Sequence, residues 1–149
     1  FAIIFTSAIS SCIKSPQETL DDINIRLKQD FTESRLDSLS FIVIIPEEGC
    51  GGCITIAEDF YNNFSSKDDI LFIFTNVLSV KTLLYKITVN DHNTIIDRNN
   101  EYISIIPTGK RIYPFILAMR DGQARAMISQ SPGGRGFMEV EQYYLKRDI

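Results

Sequence analysis

Three apolar runs constrain this chain more than any other feature: FIVII at 41–45, ILFIFT at 70–75 and YPFILAM at 113–119. They are rich in branched and aromatic side chains, and turn residues or polar stretches bound them. Runs of this length and continuity read as strands covered on both faces, which puts them inside a sheet with helices above and below. The segments between them have a different rhythm. Ile54, Ala57, Phe60 or Tyr61, and Phe64 recur at helical spacing, as do Val80, Leu83, Leu84 and Ile87 behind a capping Ser79.

Shorter signals fill in the order. Ser15-Pro16-Gln17-Glu18 has the form of a capping box with proline at the first helical position. Leu20, Ile23 and Leu27 continue that helix, with a strand at 23–27 as the competing reading. Thr32–Ser40 is a polar lead-in, irregular or helical. Asp91-His92-Asn93 is a turn, Thr94–Asp97 a short strand, and Asp97–Asn100 a further polar turn. Asp121-Gly122 between apolar runs signals a hairpin whose second arm is Gln123–Ile128. After the loop Ser131–Gly134, Phe137 to Leu145 reads as a terminal helix. The expected class is α/β: a mixed central sheet flanked by helices and closed by a C-terminal antiparallel hairpin.

With 149 residues, 44% of them apolar, the chain can build one core but not two ordinary domains. Its net charge of −4 and singly scattered basic residues argue against a nucleic-acid binder. No internal repeat or low-complexity segment is present.

Two of the three cysteines, Cys50 and Cys53, stand directly after the first apolar run, in the stretch PEEGCGGC. A redox dithiol, half of a metal site and a structural disulfide all fit that spacing. A zinc site needs four ligands, or three and a water. The single histidine, His92, lies about forty residues away in a polar turn, so a metal is disfavoured, a two-thiolate copper(I) site being the lesser variant. A purely structural bridge over so small a loop contributes little by the chain-entropy argument. No cofactor is expected.

The first residues have another character. FAIIFTSAIS is apolar and small, with no charge before Lys14, and has the character of a signal-peptide h-region. It runs into Ile9-Ser10-Ser11-Cys12, which resembles the lipobox of bacterial lipoproteins. The resemblance implies cleavage before Cys12 and lipidation of its thiol. The expected organisation is a signal-peptide remnant at 1–11, a lipidated N-terminus and lead-in helix at 12–40, and the folded domain at 41–149.

The strand FIVIIP, the motif Cys50-Gly51-Gly52-Cys53 at a helix start, and Tyr113-Pro114 ahead of an Asp-Gly hairpin together resemble the thioredoxin-like fold. The resemblance spans about Phe41 to Ile128. It implies a thiol–disulfide oxidoreductase acting on exported protein disulfides, supplied by an upstream electron donor and held to a bacterial membrane by its lipid, facing the periplasm or the cell surface. Cys50 would be the nucleophile, because unpaired N–H groups at a helix start stabilise a thiolate. Cys53 would be the resolving cysteine. Gly51 and Gly52 would let a partner backbone approach. Pro114 would be the family's cis-proline, with Pro107 a weaker candidate, and Tyr113 and Gly49 would line the substrate groove. Glu47 and Glu48 are negative charges close to Cys50 and would raise its pKa, leaning the dithiol toward a reductase. Two positions depart from the family: Gly49 stands where a tryptophan is usual, and Tyr113 where threonine or valine is common. The alternative is a non-catalytic accessory or binding lipoprotein with a structural Cys50–Cys53 disulfide.

Overall fold

The computed structural model describes residues 14–147. The expected signal-peptide remnant at 1–11 and the expected lipidation site Cys12 lie outside that range. Helix α1, Pro16–Asp30, starts as its sequence dictates: Ser15 caps it, Pro16 opens it, and Glu18 completes the capping box. Leu20, Ile23 and Leu27 are its buried stripe, so the helix prevails over the competing strand. The polar lead-in contains a short helix, α2, Glu33–Asp37, capped by Thr32.

Strand β1, Phe41–Pro46, is followed by α3, Gly51–Phe64, then β2, Ile70–Thr75, α4, Val80–Lys86, and β3, Thr94–Asp97. A five-residue helix α5, Glu101–Ile105, and a single 3-10 turn, Thr108–Lys110, lead to β4, Phe115–Arg120, β5, Gln123–Ser129, and α6, Gly136–Arg147. The sheet order is β3-β2-β1-β4-β5. β1, β2 and β3 run parallel, while β4 is antiparallel to β1 and β5 antiparallel to β4. The expected mixed sheet with a late hairpin is therefore present.

Alternation along the strands separates two cores. Ile42, Ile44, Leu71, Ile73, Phe115 and Leu117 pack with α1, α2 and α5. Val43, Ile45, Ile70, Phe72, Phe74 and Ile116 pack on the opposite face with α3, α4 and α6. Burial on both faces is why β1 and β2 carry no polar alternation. The hairpin turn is Asp121-Gly122, with φ of 52° and 67°, the left-handed pair that a two-residue type I′ loop requires. One extra residue, Arg125, bulges from β5 where the register shifts opposite Ala118 and Met119.

One expectation about a boundary is corrected: the third apolar run becomes strand, β4, only at Phe115, so Tyr113 and Pro114 precede it. The polar turn after β3 is present, and α5, which the sequence did not announce, follows it, because the Asp97 carboxylate accepts from the backbone N–H groups of Glu101 and Tyr102 and from Thr75 Oγ1.

Candidate functional site

The cysteine pair sits at the carboxyl end of β1, the edge where open α/β sheets place their sites. β1 stops at Pro46, three residues turn the chain, and Cys50 becomes the N-cap of α3. Cys50 and Cys53 form a disulfide with their Cα atoms 5.2 Å apart. Cys50 is half-buried, whereas Cys53, on the inward face of the helix, is 4% exposed. Of the two sulfur-bearing residues, Cys50 is the one an incoming group can reach. Its position at a helix start without a side-chain cap directs free N–H groups toward an anion there.

Gly49 is fixed by close approach. Its φ is +149°, and a Cβ on it would lie 2.6 Å from Ile112 Cα and closer still to the Ile112 carbonyl. The same carbonyl accepts a hydrogen bond from the Cys50 N–H at 2.9 Å. Backbone contact fills the place that a side chain would need, which explains glycine at this position. Gly51 and Gly52 are exposed, with open space where a Cβ would stand.

The expected role of Pro114 needs correction. The described residues contain no cis peptide bond, so Tyr113–Pro114 is trans. Pro114 is buried and its carbonyl accepts from Gln130 N–H at 2.8 Å, which commits it to the entry of β4. The Tyr113 N–H donates to the Lys110 carbonyl at 3.1 Å and is not presented outward. The segment that meets Cys50 is Ile112, whose side chain is 44% exposed. Pro107 lies farther back, at the start of the 3-10 turn.

Glu47 and Glu48 take different places. Glu48 is exposed. Glu47 extends the β1–β2 pairing through its N–H to Thr75 O at 2.9 Å, and its side chain is only 8% exposed. Lys86, at the end of α4, stands between two carboxylates, 3.5 Å from Glu47 Oε2 and 3.0 Å from Glu58 Oε1. Burial pushes the Glu47 carboxyl above its ordinary pKa; Lys86 opposes that rise and Glu58 adds to it. The Lys86 ammonium is held above its usual value chiefly by its hydrogen bond to Glu58. Glu47 Oε1 is buried with no hydrogen-bond partner. Of the two acids, then, Glu47 is screened by a cation and drawn toward its neutral form, so its repulsion of a Cys50 thiolate is smaller than its sequence position implies.

Sequence reasoning did not find Ile112, Lys86 or Glu58. The ion pairs join residues 39 and 28 positions apart, and no spacing signal connects them. His92 is exposed in its turn, and among the described residues no group of three or more His, Cys, Asp or Glu is placed to hold a metal ion. Nor is any helix among them long and apolar enough to cross a membrane. Compared with protein-family models, curated proteins and solved structures, the chain matches none.

Proposed function

We propose that this protein is a thiol–disulfide oxidoreductase of thioredoxin-like architecture that works through Cys50 and Cys53. One observation carries the reading: the bridged pair stands at the uncapped start of α3, at the carboxyl end of β1, with Cys50 accessible and Cys53 buried. In the reaction, the Cys50 thiolate attacks a substrate disulfide, and one substrate sulfur leaves as a thiolate that takes up a proton. Cys53, deprotonated, then attacks Cys50 in the mixed disulfide. The second substrate thiol is released and the Cys50–Cys53 bridge forms. An upstream dithiol donor returns the pair to the reduced form. Exported protein disulfides are the substrates in this reading, and Cys12 carries a lipid that holds the domain at a bacterial membrane. The second of these statements rests on Ile9-Ser10-Ser11-Cys12 alone.

A second reading, an accessory domain with a structural bridge, draws support from the trans Tyr113–Pro114 bond and from the Tyr113 N–H being used internally. Equilibration in thiol–disulfide buffers, read by alkylation and mass, separates the two. The oxidoreductase reading predicts a reversible two-electron transition between about −120 and −270 mV. A bridge that resists reduction below about −300 mV would establish the accessory reading instead.

A further inference from the structure

The amino end of α3 lacks the devices that hold other helices of this chain. α1 has a reciprocal capping box and a proline in its first turn, and α4 is capped by Ser79 through Thr82 N. α3 has no side-chain cap bond, no acidic residue in its first turn, and glycine at its first two positions. Glycine loses more conformational entropy on entering a helix than any other residue. Neither glycine answers a steric demand, for a Cβ at Gly51 or Gly52 meets nothing within 4 Å, and neither has a left-handed φ. From Cys53 onward the helix is anchored in the core, Cys53, Ile54 and Ala57 being 4%, 6% and 0% exposed. The exposed turn ahead of them is fixed at its front by the Cys50 N–H on Ile112 O, and at its rear by the Thr55 hydroxyl, which donates to the Gly51 carbonyl at 3.0 Å, and by the bond between the two sulfurs.

We propose that the Cys50–Cys53 bridge is what keeps the first turn of α3 helical, so that opening it releases Cys50, Gly51 and Gly52 from the helix. The switch is redox-driven. A dithiol reductant such as dithiothreitol gives two electrons and two protons, the sulfur–sulfur bond breaks, both cysteines become thiols, and the reductant closes to its cyclic disulfide. The reduced chain gains the freedom of two glycines. That freedom favours the reduced form and loosens the turn that carries Cys50. The inference goes beyond the oxidoreductase reading, since it concerns any opening of this bridge, catalytic or not.

The test is amide hydrogen exchange by NMR on the whole protein, bridged and reduced by dithiothreitol, at pH 6. At that pH a thiol of ordinary pKa, about 8.5, is protonated. The Ile54 N–H, bonded to Cys50 O at 2.9 Å, reports the first turn, and the Ile44 amide in β1 reports the sheet. Reduction should lower protection at Ile54 more than threefold and leave Ile44 within threefold. The double variant Gly51→Ala, Gly52→Ala should keep Ile54 protected when reduced, and shift the equilibrium with dithiothreitol about 4- to 30-fold toward the bridged form. Ile54 protection within threefold in both redox states would overturn the proposal. So would a parallel loss at Ile44, or alanines that move the equilibrium less than twofold.

Discussion

Asn24 and Ala124, a hundred residues apart, are paired as two strands are paired. The Asn24 Nδ2 donates to the Ala124 carbonyl at 3.0 Å, and the Ala124 N–H donates to Asn24 Oδ1 at 2.8 Å. A side-chain amide on α1 thus closes the outer backbone groups of β5 beside the Arg125 bulge, where the ladder is interrupted. Open strand edges template unwanted pairing, and at Ala124 this edge is paired from within the chain. Replacing Asn24 by Ala should cost about 1–3 kcal/mol, because both backbone groups lose their partner in a half-buried place. Urea unfolding should show a lower midpoint at unchanged slope. Asn24→Asp should restore little, since a second oxygen would then face the Ala124 carbonyl.

Gly49→Ala should be among the most damaging single-methyl changes available. The new Cβ would collide with the Ile112 backbone at a φ that L-residues rarely adopt. The expected loss is about 2–4 kcal/mol, the range typical of backbone strain added to overpacking. Thermal unfolding measures it. In the same variant the rate of Cys50 alkylation after reduction should change, because the Cys50 N–H and Ile112 O are forced apart. A variant as stable as the parent would show that the Gly49–Ile112 contact is not a constraint.

Asp69 gives an acid-side prediction. Burial disfavours its carboxylate, but hydrogen bonds from Ser40, Tyr144 and Arg147 outweigh burial and hold its pKa below the ordinary value. The folded pKa is therefore lower than the unfolded one. Asp69 contributes stability that is present above the unfolded value of about 3.9 and is lost as pH falls through the folded value. Asp69→Asn should remove that part of the pH dependence and lower stability at pH 7. Tyr144→Phe should move the Asp69 titration upward, which carbon-detected NMR of the carboxyl would follow. An upward shift absent in Tyr144→Phe would discount the 2.8 Å bond from Tyr144.

Glu47, Glu58 and Lys86 make the opposite case. The raised pKa of Glu47 means that its contribution is fully present below the unfolded value of about 4.3 and diminishes as pH rises through the folded value. Lys86→Met removes the cation that lowers this pKa, so it should raise the Glu47 pKa further and destabilise the protein most at pH 7 and above. Adding Glu47→Gln should recover part of that loss. A double-mutant cycle in urea at pH 5 and pH 8 reads the coupling, which should be larger at pH 8. Equal coupling at both values would rule out a charge effect.

The two strands β1 and β2 were legible because burial on both faces leaves a compositional mark: nothing polar survives in FIVII, or in ILFIFT before its last residue, Thr75. The hairpin was legible because Asp121-Gly122 has one physical use between two apolar runs. α1 announced itself through Ser15, Pro16 and Glu18, all local to one turn. What could not be read is what depends on distant partners. α5 starts where it does because Asp97, tied to Thr75, turns its carboxylate onto the next backbone. Pro114 was expected to be cis from its order and spacing ahead of an Asp-Gly hairpin, but order does not show that the residue is buried and bonded to Gln130. The cysteine pair and its helix start were found, whereas Ile112, whose carbonyl meets Cys50, gave no signal, and its neighbour Tyr113 was expected to line the substrate groove. Tyr113 and Ile112 differ by a single step, and the 3-10 turn that precedes them decides which one faces the motif.

Helix α6 completes the face on which α3 lies. Phe137 stacks on Phe60 with ring centroids 4.5 Å apart, while Tyr144 and Arg147 supply two of the groups that hold Asp69. A growing chain carries Phe60 without this cover until Gly136–Arg147 has been made. The link between Cys50 and Cys53 needs nothing from that face, for its two ends are three residues apart. In the life of each molecule, closing the bridge and closing the core are separate events, and the bridge has the longer window.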